Sequence, residues 1–351
     1  MDLVDLVYPE LTLMNPAALT VVTVTAMMSL YVYFMQPSMI LQAYFRVAVR
    51  WSGMKIRCTK LLPDGFRFFY GEKGQKTKGQ MSVVFLHGFT ADHFMWAPIV
   101  QNIPSSIHVI AVDLPGHGFT MDPLDNDDIG FRAQVTRIKQ FLDLIDLTEP
   151  VHLVGISMGG ALAGLFAAEF PDLVGALSLT CPSMKTPEES HMIKSNKERV
   201  LQAGELTIEN CPMLPQTSRQ VQEMLNISHY FSVSYPSQIL KGVAELRKRK
   251  NDFYLRLVRE IISEPSQVML ESSLSKISSP TQVIWGQEDW IVDVSGVDVL
   301  RKHLPNCRRV NIMPKCGHAV NLDQPAQFAQ IVLDFWRDQQ SRMLPEGKKC
   351  S

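Results

Sequence analysis

The stretch VHLVGISMGGALAGLFAAEF, residues 151–170, limits the fold more than any other part of the chain. Its first half is an apolar run of strand length, and its second half is rich in alanine and glycine like a tightly packed helix. A strand without polar alternation has to be covered on both faces, as in a parallel sheet. Passing from such a strand to a helix within a few residues leaves no room for side chains at Gly155 and Gly159. It also lifts Ser157 to the start of the helix, beside backbone N–H groups with no partner inside the helix. Close packing of helix on sheet would need the same small residues, so the rest of the chain has to separate chemistry from packing.

The pattern repeats. Segments 67–74, 81–87, 107–113, 151–157, 173–180, 281–286 and 308–313 read as strands. Helical patterns fall at 131–147, 158–170, 290–303 and 324–339, the last with Phe328, Ile331, Val332 and Phe335 on one face. This alternation predicts an α/β fold with a mostly parallel central sheet flanked by helices. The rhythm stops over 181–279, where charged helical patterns replace strands. An insertion after the carboxyl end of a parallel strand lies over the ligand side of such a sheet, so this segment is expected to be a helical cap or lid. The core then has a first part over 61–180 and a second over 280–340, followed by a flexible tail, 341–351.

The N-terminal segment is of another kind. No charged residue occurs from Leu11 to Phe45, and Ala17–Met35 is its densest apolar part. About 20 helical residues match a hydrocarbon layer of about 30 Å, so residues 1–36 are expected to form a membrane anchor. A cleaved signal peptide would begin with basic residues, whereas Asp2, Asp5 and Glu10 precede this segment. A buried core helix of this length without charge would be unusual. Arg46, Arg50, Lys55, Arg57 and Lys60 follow in a juxtamembrane basic segment, 37–60, which places the body on the cytosolic side. Residues 37–51 suit either a helix lying along the membrane or a first helix of the body.

Ser157 needs a base and an orienting acid. His318 follows the last strand in PKCGHAVNLDQP, and QEDWIVDVSG after strand 281–286 offers Glu288, Asp289 and Asp293. Asp289 is three residues past Gly286 and is the expected acid, with Asp293 in reserve as the alternative start of a helical turn. The order Ser, Asp, His is that of an α/β-hydrolase. Backbone N–H groups of Met158 and Phe89 are the expected oxyanion donors. His87 is expected to bond within the loops, and DLPGHGFT (113–120) to hold the floor of the site through Asp113 or His117. The mechanism calls for no metal or organic cofactor.

The remaining features exclude rather than assign. Thirty-four basic residues against 35 acidic ones give no nucleic-acid surface. The six cysteines are scattered, without a CxxC pair, which suits thiols in a reducing compartment. A serine at position 157 disfavours hydrolases that use a carboxylate nucleophile. The acceptor sequence at Asn226 is expected to be unmodified in a cytosolic body.

VVFLHGFTADHFMW, VDLPGHG, VHLVGISMGG, PTQVIWGQEDWIVDVSG and CGHAVNLDQP resemble the α/β-hydrolase domain proteins. With NDFYLRLVREI and the N-terminal anchor, the resemblance is to their membrane-bound monoacylglycerol lipases. It implies an α/β-hydrolase fold and a serine hydrolase that cleaves monoacylglycerols, including 2-arachidonoylglycerol, and also lysophospholipids and bis(monoacylglycero)phosphate. It carries Ser157 over as nucleophile, Asp289 as acid and His318 as base. It further implies a long-chain lipid substrate, association with late endosomal and lysosomal membranes, or with plasma membrane or endoplasmic reticulum, and membrane-receptor partners. An esterase, thioesterase or acyltransferase with the same triad is the alternative.

Overall fold

The structure, a computed structural model, describes residues 15–343. Asp2, Asp5, Glu10 and most of the tail, 344–351, lie outside the described residues. The helices of eight or more residues are α1 (Pro16–Met35), α2 (Pro37–Trp51), α3 (Phe131–Leu144), α4 (Met158–Glu169), α5 (His191–Ala203), α6 (Ser218–Ser228), α7 (Ser237–Lys248), α8 (Asn251–Ile261), α9 (Glu264–Ser273), α10 (Gly296–His303) and α11 (Pro325–Met343). The strands are β1 (Lys55–Cys58), β2 (Phe69–Lys73), β3 (Val83–Leu86), β4 (Val109–Val112), β5 (Val151–Ile156), β6 (Val174–Thr180), β7 (Thr281–Gly286) and β8 (Cys307–Met313).

They form one sheet in the order β1-β2-β4-β3-β5-β6-β7-β8. β1 and β2 pair antiparallel, as do β2 and β4, and every later pairing is parallel. Strands β3, β4, β5 and β7 are buried along their whole length, which explains their continuous apolar runs. Helix α4 is buried almost all round. On α11, Phe328, Val332, Phe335 and Trp336 are buried and Ile331 is half-buried; the Trp336 indole donates to the Met81 carbonyl at 3.0 Å.

Of the two readings open for residues 37–51, a first helix of the body is the one the structure shows: the basic segment 37–60 holds α2 and the edge strand β1, whose four residues are all exposed. Two expectations are corrected. The helix expected over 290–303 begins only at Gly296. The Asp289 carboxylate takes the N–H groups of Ile291 and Val292 and holds the chain in turns before it. The tail expected from residue 341 is still helical to Met343.

Helix α2 docks on the body. Leu41 and Val49 are buried, Phe45 stacks on Phe94 with ring centres 5.3 Å apart, and the Ser38 N–H donates to Glu245 of α7 at 3.3 Å. Helix α1 has no buried residue, which leaves no core for it to be a helix of. Five helices, α5 to α9, lie between β6 and β7, as expected of an inserted cap. Lys250 ties α8's start to the 113–122 segment by donating to the Gly116 carbonyl at 3.1 Å and to Asp122 at 2.8 Å.

Candidate active site

Phe89, Ser157, Asp289 and His318 follow β3, β5, β7 and β8. These strands are parallel, so their carboxyl ends, and the loops leaving them, share one edge of the sheet.

Ser157 has φ 57° and ψ −122°, a left-handed conformation that an L residue adopts only under constraint. The constraint is visible. The Ser157 N–H donates to the Thr180 carbonyl at 2.9 Å, and its own carbonyl accepts from Ser183 N–H at 2.9 Å. A Cβ on Gly155 would stand 2.1 Å from the Gly159 carbonyl oxygen, and one on Gly159 would stand 2.4 Å from those of Leu86 and His87. Only glycine allows the strand, the helix and the β3 loop to meet here.

His318 Nδ1 donates to Asp289 Oδ2 at 2.7 Å. Asp289 Oδ1 accepts from Ile291 N–H at 2.8 Å and Val292 N–H at 3.0 Å, so both carboxylate oxygens are engaged and the ring's partner is fixed. Nε2 of His318 is thereby left as the acceptor nitrogen. Both residues are buried, and Asp289's side chain has no exposed surface. Asp293 takes no part; it accepts from Ser295 N–H at 2.9 Å, the turn role held open for it.

Met158 is the first residue of α4, where an N–H has no intrahelical partner. Gly88 brings the β3 loop against the serine, since a Cβ there would lie 3.2 Å from Ser157 Cβ. Phe89 follows in a turn closed by Ala91 N–H donating to the Gly88 carbonyl at 3.2 Å. Among the described residues, no backbone carbonyl of the protein accepts from Phe89 or Met158 N–H across these loops.

The supporting histidines are structural. His87 Nδ1 donates to the Gly88 carbonyl at 2.8 Å, and Nε2 accepts from Leu114 N–H at 3.0 Å. Burial pushes its pKa down to about 4, so it stays neutral. Asp113 accepts from His93 N–H at 2.7 Å, His93 Nδ1 at 2.8 Å and Phe119 N–H at 3.0 Å. His117 Nδ1 donates to the Pro115 carbonyl at 3.0 Å while its ring lies 5.3 Å from that of Tyr254 in the cap. These contacts tie 113–120 to the loop after β3 and to the cap.

Sequence reasoning missed Cys181. It follows β6, has φ 39°, is fully buried, and places Sγ within 4.8 Å of both the Asp289 carboxylate and a His318 nitrogen. Burial and the neighbouring Asp289 carboxylate hold its thiol protonated, with a pKa well above the ordinary range. A cysteine, an aspartate and a histidine so placed could hold a metal ion. Here the Asp289 oxygens are taken by His318 and two N–H groups, and the Cys181 thiol donates to the Ile284 carbonyl at 3.9 Å. No sequence signal marked Cys181, because its neighbours lie over 100 positions away.

Above the loops, the cap presents an apolar roof. Leu206, Cys211, Leu214, Tyr254 and Val258 pack together, with Phe89 and Phe253 against them, and the Phe89 and Tyr254 rings are 5.7 Å apart.

Comparison with known proteins agrees with this architecture. Residues 82–325 match the alpha/beta hydrolase fold family. The human monoacylglycerol lipase ABHD6 is 37% identical over 306 residues, covering 86% of this chain and 88% of that one. The Xenopus laevis monoacylglycerol lipase abhd6-A is 34% identical over 312 residues, covering 88% and 90%. The crystal structure of a membrane phospholipase A, a bacterial virulence factor, superposes with a TM-score of 0.78 at 26% identity, covering 93% of this chain and 99% of that one. The chain therefore belongs to the α/β-hydrolase family and is a serine hydrolase homologous to the ABHD6 lipases.

Proposed function

We propose that the protein is a membrane-anchored lipase that cleaves monoacylglycerols, 2-arachidonoylglycerol among them, to fatty acid and glycerol. Lysophospholipids and bis(monoacylglycero)phosphate are further substrates of the same site. The observation that carries this reading is the buried His318–Asp289 pair, 2.7 Å apart, on the sheet edge where Ser157 is held in its strained turn.

His318 takes the Ser157 hydroxyl proton on Nε2 as Oγ attacks the ester carbonyl. The N–H groups of Met158 and Phe89 receive the oxyanion. The imidazolium, balanced by Asp289, passes its proton to the departing glycerol oxygen, leaving an acyl-serine. Water deprotonated by His318 then releases the fatty acid. Asp289 stays ionised throughout.

The apolar roof supports a long acyl chain, since each buried methylene contributes about 0.8 kcal/mol to binding. Helix α1, 20 residues long and without a buried residue, supports the anchor. Arg46 and Arg50, exposed on α2 just past it, favour a cytosolic body. Late endosomal or lysosomal membranes are the proposed location, by kinship with the monoacylglycerol lipases.

The test is fluorophosphonate labelling of membrane fractions, with 2-monoacylglycerol hydrolysis in parallel, for wild type and Ser157→Ala. Labelling and hydrolysis lost together in the variant support the whole reading. A labelled wild type without monoacylglycerol hydrolysis turns the substrate to another ester, a thioester or an acyl acceptor. A variant that still labels and hydrolyses removes Ser157 as nucleophile.

A further inference from the structure

The loop that carries His318 is held by the cap as well as by the core. Asp323, at the end of that loop, has a side chain only 3% exposed. Its Oδ1 accepts from His229 Nδ1 at 2.8 Å, and its Oδ2 accepts from Tyr230 N–H at 3.0 Å and from Gly317 N–H at 2.8 Å. On the other side of His318, Ala319 N–H donates to the Ser228 carbonyl at 2.9 Å. The residues on either side of the histidine are therefore fastened to Ser228–Tyr230, the strand of chain leaving α6. The contact is backbone on backbone, because a Cβ on Gly317 would stand 2.9 Å from the Ser228 carbonyl oxygen.

From this geometry we propose that His229 and Asp323 are positioning residues through which the cap sets the orientation of His318. The inference rests on His318 being the base. With the clamp made, the loop can hold Nδ1 against Asp289 and Nε2 toward the serine. With it broken, the loop is left to contacts that do not involve the cap: Glu288 N–H donating to the Cys316 carbonyl at 3.0 Å, Cys316 N–H donating to Glu288 at 3.2 Å, the Gln324 amide donating to the Pro314 carbonyl at 2.8 Å, and the His318–Asp289 bond itself. A displacement of about 1 Å at a reacting group costs on the order of a hundredfold in rate.

The clamp does not depend on His229 being charged. Nδ1 carries the proton toward Asp323 in the neutral tautomer as well as in the imidazolium. Burial disfavours the Asp323 charge, but His229 and the Gly317 and Tyr230 N–H groups outweigh it and hold the carboxyl below its ordinary range. The other titratable groups on and around the His318 loop include Asp289, Cys181, Cys316, Glu288, Lys315 and Tyr230. Burial pushes the Cys316 thiol up to about 12, so it stays neutral.

The test uses the full chain in detergent micelles. The readouts are the rate of fluorophosphonate labelling, kcat and KM for p-nitrophenyl butyrate, the pH profile of kcat/KM, and the thermal midpoint. Loss of wild-type labelling in Ser157→Ala is established first; labelling that survives there fails the serine reading, separately from the present proposal. His229→Ala is expected to lower labelling rate and kcat by about tenfold or more, with KM nearly unchanged. Its acidic limb should move to lower pH, because a looser Asp289 contact stabilises the His318 imidazolium less.

His229→Asn places an amide N–H where Nδ1 stood and should restore the rate. His229→Gln places it beyond reach and should not. Arg256→Ala, which breaks the Arg256–Asp125 pair between cap and core (3.1 Å) away from this loop, should leave both rates at wild-type level. Folded His229→Ala with wild-type rates, an unmoved acidic limb, or an Arg256→Ala loss of the same size overturns the proposal. If His229→Ala does not fold, equal rates in His229→Asn and His229→Gln overturn it.

Discussion

A Cβ on Gly286 would stand 2.0 Å from the carbonyl oxygen of Gly317 and 2.6 Å from that of Cys316. The end of the strand leading to Asp289 and the loop bearing His318 thus touch through their backbones. Gly286→Ala should force them apart. Backbone atoms cannot yield as a side-chain tip would, so kcat should fall by about a hundredfold or more. Ester hydrolysis by the purified variant, with its thermal midpoint alongside, checks this; activity within a few-fold of wild type would show that the loops can part freely.

The turn at Ser157 stores strain that replacement can read out. Ser157→Ala and Ser157→Gly both remove Oγ, but only glycine relaxes at φ 57°. Ser157→Gly should be the more stable of the two by about 1 kcal/mol, a part of the usual cost of a strained residue. Urea unfolding of the two variants measures the difference, and a less stable glycine variant would argue that no strain is stored there.

Cys181 should tune the base. Its S–H group, which donates to the Ile284 carbonyl at 3.9 Å, is also a weak donor within 4.8 Å of the Asp289 carboxylate. Cys181→Ala removes that donor, leaves more carboxylate charge for the imidazolium, and should move the acidic limb of kcat/KM upward, by about half a pH unit. Cys181→Ser keeps a donor and should leave the limb near its original place or below it. Profiles measured on both variants decide, and an alanine variant with an unmoved limb would show that Cys181 does not act on the pair.

Acid should destabilise the fold before it protonates most carboxylates. Burial lowers the pKa of His87 to about 4, of His152 to about 3, and of His117 and His108 as well. Below pH of about 6.5 the unfolded chain takes up these protons and the folded one does not, so stability falls as pH drops through this window. Two groups act the other way. Burial and Asp113 raise Asp92 to about 6, and His93 is raised by Asp113 despite its burial. Four against two leaves the unfolded state binding more protons, at about 1.4 kcal/mol per pH unit for each proton of net difference. Urea midpoints between pH 7 and 4 should decline; a flat or rising series would contradict the balance.

Much of this architecture is legible in local sequence. Buried parallel strands such as β3, β5 and β7 must be apolar throughout, and Gly155 is required by a contact only four residues away. What escapes is set by partners distant in the chain. β1 reads as a charged linker because an exposed edge strand needs no apolar face. The start of α10 is delayed by a carboxylate whose other oxygen holds a histidine 29 positions later. The docking of α2 depends on Gly242 of α7, where a Cβ would stand 2.8 Å from the Pro37 carbonyl oxygen. Cys181 and His229 lie in no motif, and nothing in CGHAVNLDQP marks Asp323 as the partner of a cap residue, since only the folded sheet and cap bring them together.

The order of the strands along the chain has a consequence for biosynthesis. A nascent polypeptide that has emerged as far as β6 already owns six neighbouring strands of the sheet, with Ser157 among them. The aspartate arrives only after the whole cap has been made, and the histidine only after β8. Translation thus delivers the serine early and its partners last, so every chain that a stalled ribosome leaves between β6 and the end of β8 carries the serine without the proposed base.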